Sequence, residues 1–303
     1  MSTPRFLTLP PGVLPRSIET PVGTFAALEA SPASGATERW PALLVPGFTG
    51  SKEDFIAVLQ TLAQSGRRVV AIDMRGQHES AGGAAPEAYT CEALGRDIAA
   101  IAGVFGDDPV HLVGHSFGGL VTREAVLGGG IEVASHTLMS SGPGAVGGRR
   151  ATAGWALLER LPEMGVRRIW ETAMEPEAVA AGIPEEIVAF LRRRMLNNCP
   201  TGLATMGHEV LTCPDKVAAL AALELPTLVL CGENDDAWPT DVQAAMARRL
   251  NADCVVLPGA AHSPAVEAPE TTAAALVRFW NEAERIAMTH PREDPLSQAT
   301  PTL

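Results

Sequence analysis

Short apolar segments alternate with helical segments along most of this chain, and this alternation restricts the fold more than any other feature. Strands that alternate with helices form a mostly parallel sheet with helices packed on it. Several of the apolar segments are uninterrupted, as expected of strands covered on both faces. The sequence therefore predicts an α/β fold, with a doubly wound, mostly parallel sheet of about eight strands. Seven strands are predicted, at residues 25–29, 42–45, 68–73, 110–114, 136–140, 227–231 and 254–257.

Two helical segments indicate how helices would cover this sheet. Between residues 55 and 62, apolar side chains recur at positions i, i+3, i+4 and i+7. A last helix has an apolar face over residues 276–280. This spacing places one face of each helix against the sheet.

The alternation stops between residues 143 and 215, where the pattern is helical throughout. We interpret 143–215 as a helical cap, or lid, inserted into an α/β core formed by 1–142 and 216–284. Periodicity is also absent before Pro21 and after about residue 285. We expect 285–303 to be a flexible C-terminal tail.

Charge and cysteine content exclude several classes of function. The net charge of −12 repels phosphate backbones and anionic lipids, so we expect no nucleic-acid partner and no membrane partner. The five cysteines are odd in number and never form a CxxC pair, which argues against a disulfide framework or a zinc site. The sequence has neither a leader-like apolar run nor about 18 consecutive apolar residues for a membrane span. A cytoplasmic protein is predicted.

The segment VHLVGHSFGG, residues 110–119, contains the pattern GxSxG between a predicted strand and a predicted helix. This context is typical of a strand–turn–helix elbow, in which the serine, here Ser116, lies in a strained turn that exposes its Oγ. Gly114 and Gly118 flank it and permit the strand and helix to approach closely, with His115 directly before the serine. The alternative is a serine that merely caps the start of its own helix.

From about Val22 to Glu284 the chain resembles the α/β-hydrolase family, in which the catalytic order is Ser, Asp or Glu, then His. LVLCGENDDAWP supplies Asp235 after one late strand, and VVLPGAAHSPAVEAPE supplies His262 after the next. The resemblance therefore implies a triad of Ser116, Asp235 and His262. Asp236 is the rival acid, although it could instead cap a helix.

A serine hydroxyl becomes a good nucleophile only when a neighbouring imidazole takes its proton. The resemblance gives that role to His262, and gives Asp235 the role of orienting and stabilising the imidazole. It also implies that the backbone N–H groups of Phe48 and Phe117 form an oxyanion hole. Pro46 stands where the family commonly has histidine.

The segment AIDMRGQHES, residues 71–80, resembles a DxRGxGxS turn of the same family. We interpret Asp73 and Arg75 as structural residues that make charge-assisted hydrogen bonds. His78 is a candidate substrate contact, although an exposed loop histidine is the simpler interpretation. We interpret the run Arg192–Arg194 as a solvated helix face. We interpret Cys231 and Cys254 as inert core thiols.

The candidate substrate contacts are Trp170, Met174, Trp238 and His78. No two histidines lie three or four positions apart within a predicted helix, so we expect no metal and no cofactor. Apolar cap residues suggest a small to medium, mainly hydrophobic ligand. They are Leu157, Leu158, Leu161, Met164, Ile169, Trp170, Met174 and Met206.

These features predict a cofactor-independent serine hydrolase acting on a carboxylic ester, thioester or lactone. The same triad could instead serve carbon–carbon bond hydrolysis, cofactor-free perhydrolysis or lyase chemistry. A ligand-binding receptor with slow turnover is a further alternative. Family members with an aspartate nucleophile are disfavoured because Ser116 occupies the elbow.

Overall fold

The computed structural model describes residues 1–33 and 39–289. Within these ranges the strands are β1 (Val13–Thr20), β2 (Gly23–Ala30), β3 (Ala42–Val45), β4 (Val69–Ile72), β5 (Val110–His115), β6 (Val133–Met139), β7 (Thr227–Gly232) and β8 (Asp253–Leu257). They form one sheet in the order β1-β2-β4-β3-β5-β6-β7-β8. β2 is antiparallel to β1 and β4, and the other neighbours are parallel. The predicted sheet is confirmed.

Helices cover both faces of this sheet, which is why every residue of β3, β4, β5 and β7 is buried. In the described ranges they are α1 (Ile56–Ala63), α2 (Cys91–Ala102), α3 (Phe117–Gly128), α4 (Gly148–Ile169), α5 (Glu175–Ala180), α6 (Glu185–Asn197), α7 (Pro200–Thr212), α8 (Val217–Ala221), α9 (Thr240–Leu250), α10 (Pro264–Glu267) and α11 (Pro269–Thr289). None of them combines the length and apolarity needed to cross a bilayer.

The two faces have separate apolar cores. Residues of α2, α3, α8 and α9 pack in one cluster, and residues of α1, α10 and α11 pack in the other. Leu59 and Leu62 of α1, and Leu276 and Trp280 of α11, are fully buried, so the predicted apolar faces of both helices are confirmed.

β1 lies before Pro21, where the sequence shows no periodicity and no strand was predicted. Only Val13 and Ile18 of its eight residues are buried. β1 is an edge strand exposed on most of its surface, so it lacks the apolar alternation that identifies a half-buried strand. Pro15 is tolerated because an edge strand need not donate every backbone N–H.

The segment between β6 and α8 contains α4 to α7 and a π-helical turn at Trp170–Met174. These helices form an apolar cluster of their own. α4 is broken at Gly165, whose φ of 68° is not helical. At the other end of the chain, α11 continues to Thr289, and the remainder of the expected tail lies outside the described residues.

Cys254 is exposed, which corrects its interpretation as a core thiol, whereas Cys231 is buried as expected. Cys254 lies in β8, the last strand of the sheet, and four of the five residues of β8 are exposed or half-buried. A strand at the sheet edge lacks the cover that buries central strands.

Candidate active site

Ser116 lies in the turn between β5 and α3, with φ 54° and ψ −121°. This positive φ is unusual for a residue other than glycine. A Cβ at Gly114 would lie 2.3 Å from Oγ1 of Thr122, and one at Gly118 would lie 2.4 Å from the carbonyl oxygen of Pro46. No side chain fits at either position, so the strand and helix can meet around Ser116 only with both glycines.

The imidazole of His262 lies between Ser116 and Asp235. Its Nε2 is 3.0 Å from Oγ of Ser116, and its Nδ1 is 2.9 Å from Oδ1 of Asp235. Asp235 follows β7 and His262 follows β8, so two adjacent parallel strands bring both residues to the same edge of the sheet. The structure thus brings together the three residues named from the sequence.

The carboxylate of Asp235 is held by two further donors. The N–H of Ala237 is 2.9 Å from Oδ1, and Nε2 of Gln243 is 2.9 Å from Oδ2. Burial alone would raise the pKa of Asp235, but the hydrogen bonds from His262, Ala237 and Gln243 hold it below its ordinary value. Asp235 is therefore ionised at neutral pH. No sequence pattern indicates Gln243, which comes from α9.

Asp236, the rival acid, makes its side-chain hydrogen bonds to Arg150 and not to His262. Its carboxylate accepts two hydrogen bonds from Arg150 of α4, at 2.9 and 2.8 Å. Both side chains are about half exposed, and this ion pair joins α4 to the loop after β7. Asp236 is not a helix cap either, because α9 begins after Pro239.

The two proposed oxyanion donors belong to segments that adjoin Ser116. Phe117 is the first residue of α3, so its N–H is not used by the helix. Phe48 belongs to the loop after β3, which touches the elbow: a Cβ at Gly47 would lie 3.0 Å from Cβ of Ser116. The side chain of Phe117 is fully buried in the core, whereas that of Phe48 is partly exposed.

The loop after β3 is supported by the turn that contains Asp73. Nε2 of Gln77 donates to the carbonyl of Gly47 at 3.0 Å. Asp73 accepts hydrogen bonds from the backbone N–H and Nζ of Lys52, at 2.8 and 2.9 Å. Arg75 makes two 2.6 Å bonds to Asp97 of α2. The expected charge-assisted bonds of Asp73 and Arg75 are present, but the sequence did not indicate the contact made by Gln77.

A cavity of about 490 Å³ opens beside Ser116 and His262. The segment between β6 and β7 supplies much of its wall, and the core supplies the rest. Of the candidate substrate contacts, Met174 and Trp238 line it. The lining also includes the predicted wall residues Leu157, Leu158, Met164 and Ile169.

Trp170 and His78 do not line this cavity. Trp170 is fully buried in the apolar cluster formed by α4 to α6. His78 is only 5% exposed, and its ring meets the ring of Phe190 edge-on at 5.6 Å. The expectation of an exposed loop histidine is therefore wrong, because α6 packs over this turn. Leu161 and Met206 also lie outside the lining.

Arg194 is fully buried, which corrects the expectation of a solvated face over Arg192–Arg194. It donates to Oδ1 of Asp54 at 2.7 Å and to the carbonyl of Ser2 at 2.5 Å. Three consecutive helical residues span about 200° of the helix surface, so one of them can point inward. The resulting ion pair joins α6 to the core beside the cavity.

Glu53, His78 and Glu79 each offer a metal-ligating atom within 4.8 Å of the others. The ammonium group of Lys52 lies 2.9 Å from Glu53 and 2.8 Å from Glu79. Burial would lower the pKa of Lys52, but Asp73 and Glu53 raise it above its ordinary value. Lys52 therefore supplies the positive charge that this cluster requires, and we assign no metal to the cluster.

Comparison with known proteins links the chain to one family. The model of the "Alpha/beta hydrolase family" matches residues 42–275, which is more than half of the chain. RutD of Variovorax paradoxus (strain S110), a protein assigned as a carbamate hydrolase, is 29% identical over 212 residues. That alignment covers 69% of this chain and 79% of RutD.

Solved structures with the same fold include an esterase and an enol-lactonase. A thermophilic esterase from Thermogutta terrifontis is 27% identical with a TM-score of 0.67, and the alignment covers 89% of this chain and 99% of the esterase. The enol-lactonase from Burkholderia xenovorans LB400 is 16% identical with a TM-score of 0.72, covering 88% of this chain and all of the lactonase. The second likeness concerns the fold alone.

Proposed function

Because this chain belongs to the alpha/beta hydrolase family, we propose that it is a serine hydrolase of carboxylic esters, thioesters or lactones. Ser116 is the nucleophile, His262 the general base and Asp235 the acid of the triad. The observation that most supports this proposal is the continuous hydrogen-bonded path from Oγ of Ser116 through the imidazole to Asp235, with distances of 3.0 and 2.9 Å.

The reaction follows from the placement of the protons. Asp235 accepts the Nδ1–H of His262, which leaves Nε2 free to take the hydroxyl proton as Ser116 attacks the carbonyl carbon. The N–H groups of Phe48 and Phe117 stabilise the oxyanion that forms. His262 then protonates the leaving group, and water attacks the acyl-enzyme with His262 again as base.

The cavity supports a small or medium, mainly apolar acyl or alcohol group. Its lining includes Phe48, Trp238, and Leu157 and Leu158 of α4. The likeness to RutD supports carbamates as a second substrate class. The triad chemistry needs neither a metal nor a cofactor, and the scattered cysteines support a cytoplasmic protein.

Hydrolysis of p-nitrophenyl esters from acetate to decanoate, with an aryl carbamate beside them, tests this proposal. Wild type and Ser116→Ala are measured in parallel. We expect turnover in wild type and its loss in Ser116→Ala, with a chain-length optimum set by the cavity. Equal rates in the two proteins would overturn the assignment of the nucleophile. Turnover of carbon–carbon substrates alone would favour the alternative chemistry, and binding without turnover would favour a receptor.

A further inference from the structure

The loop that joins β8 to α10 carries His262. The imidazole can remain 3.0 Å from Oγ of Ser116 only if the main chain of this loop is fixed. Residues 258–263 form neither strand nor helix, so their peptide groups must find hydrogen-bond partners elsewhere. Two side chains supply these partners immediately around His262.

His115, the residue before the nucleophile, holds the carbonyl of His262. Its Nε2 is 2.7 Å from that carbonyl oxygen. Because a carbonyl can only accept, Nε2 of His115 must carry a proton and donate it. Burial and the neighbouring charge of His262 lower the pKa of His115 to about 3, so the donor is a neutral imidazole at neutral pH.

Glu267 holds the main chain on the other side. Its carboxylate accepts the N–H of Ala261 through one oxygen, and the N–H of Ser263 through the other at 3.3 Å. These two peptide groups flank His262. A carboxylate with two acceptor oxygens suits this arrangement, whereas an amide offers only one.

His115 also packs against the loop that carries Phe48. A Cβ at Gly47 would lie 3.4 Å from Nδ1 of His115 and 3.0 Å from Cβ of Ser116. His115 is 5% exposed and therefore has little freedom to move. One side chain thus contacts the elbow, the loop of the oxyanion donor and the loop of the base.

We propose that His115 and Glu267 are positioning residues that clamp the main chain around His262 and so hold its imidazole between Ser116 and Asp235. This inference rests on the proposed serine hydrolase function. It adds two residues that act through His262 and not on the substrate. Loss of either residue should slow the attack by Ser116 more than it weakens substrate binding.

His115→Leu and His115→Gln separate the hydrogen bond from simple packing. Leucine fills space but leaves the buried carbonyl of His262 without a donor. Glutamine can still donate an amide N–H. We expect kcat to fall at least about tenfold in His115→Leu with KM within about twofold, and glutamine to restore most of the loss.

Glu267→Gln tests the second half of the clamp, and Glu270→Gln is its control. Glu270 is an exposed carboxylate at the start of α11. We expect kcat to fall about three- to tenfold in Glu267→Gln, because only one of two N–H groups keeps its acceptor. Glu270→Gln should match wild type.

The rate at which a fluorophosphonate labels Ser116 measures the activation of the serine without any knowledge of the substrate. We expect slower labelling in His115→Leu and Glu267→Gln at a temperature at which each variant is folded, and near-normal labelling in His115→Gln. If wild type is labelled and the variants are labelled at the same rate, the clamp is overturned and the proposed function is not. If His115→Leu does not fold, wild-type labelling in Glu267→Gln or clearly slower labelling in His115→Gln still overturns the clamp. No labelling of wild type at Ser116 would overturn the proposed function, and this inference with it.

Discussion

At the scale of single residues, the role of a carboxylate at the candidate site depends on its partners. Asp235 and Asp236 are neighbours in the chain, yet one is buried beside His262 and the other is half exposed beside Arg150. A one-residue step in a loop therefore separates a candidate catalytic acid from a surface ion pair. Their positions in the sequence alone do not distinguish these roles.

Asp235→Asn and Asp236→Asn form a matched pair. We expect Asp235→Asn to lower kcat by about 10³- to 10⁴-fold, because an amide no longer holds the imidazole in the reactive tautomer. The kcat of Asp236→Asn should stay within about threefold of wild type, since the exposed ion pair with Arg150 contributes little to the stability of the loop. Steady-state hydrolysis of the best ester measures both. The opposite order would identify Asp236 as the acid.

The lowered pKa of Glu284 predicts how the free energy of unfolding depends on pH. Glu284 is buried and binds Arg67 at 2.8 Å and His111 at 3.1 Å. Burial alone would raise the pKa of Glu284, but His111 and Arg67 lower it from an ordinary 4.5 to about 2. The carboxylate therefore stabilises the fold fully above pH 4.5, and this contribution is lost as the pH falls towards 2.

Glu284→Gln should accordingly lower the free energy of unfolding by about 3 kcal/mol at pH 7, and by progressively less below pH 4.5. Urea denaturation at several pH values measures the difference. Glu282→Gln is the control, because Glu282 and its partner Arg285 are exposed and should not change stability measurably. A difference independent of pH would contradict the assignment.

At the scale of elements, the strand–turn–helix unit of β5 and α3 needs close contact with β3. A Cβ at Gly118 would lie 2.4 and 2.5 Å from the carbonyl oxygens of Pro46 and Val45. These are backbone atoms at the end of a central strand, so they cannot move aside as a flexible side chain would. The glycine is a requirement of packing and not of turn conformation.

Gly118→Ala should therefore prevent folding or lower the melting temperature by more than about 10 °C. Gly103→Ala is its counterpart at the end of α2, where φ is −61° and no atom lies within 4 Å of the added Cβ. That variant should be neutral or slightly stabilising. Thermal unfolding followed by circular dichroism compares the two. A stable, active Gly118→Ala would contradict the packing argument.

At the scale of the whole molecule, the cavity exists because two parts of the chain meet over Ser116. The segment of α4 to α7 provides one wall and the carboxyl ends of the parallel strands provide the other. The buried Arg194–Asp54 ion pair and the exposed Arg150–Asp236 ion pair both join these parts. The volume left between the two parts limits the size of the ligand.

Ala156→Phe should shorten the preferred acyl chain, because Ala156 of α4 lines the cavity. We expect kcat/KM for decanoate to fall more than about tenfold while that for acetate changes within about twofold. Thr152→Phe, an exposed position on the same helix, is the control and should leave the chain-length profile unchanged. An unaltered profile in Ala156→Phe would place the acyl group elsewhere.

The parts of this protein that could be predicted are those encoded by local pattern. Buried strands such as β3 and β5 are uninterrupted apolar runs, and GxSxG has its meaning because a strand precedes it and a helix follows it. β1 could not be predicted, because an exposed edge strand has no apolar alternation. Gln243 could not be linked to Asp235 either, since their contact depends on how α9 packs beside β7.

The sequence by itself determined the order along the chain of the strands after β1, the position of the elbow and the residues that could serve acyl-transfer chemistry, because each depends on neighbours within a few positions. Only the tertiary structure decided which carboxylate contacts His262 and that Arg194 and His78 are buried. It alone also decided that His115 and Glu267 make hydrogen bonds to the loop that carries His262. These outcomes depend on distances between segments far apart in the chain, which are set when helices pack on the sheet.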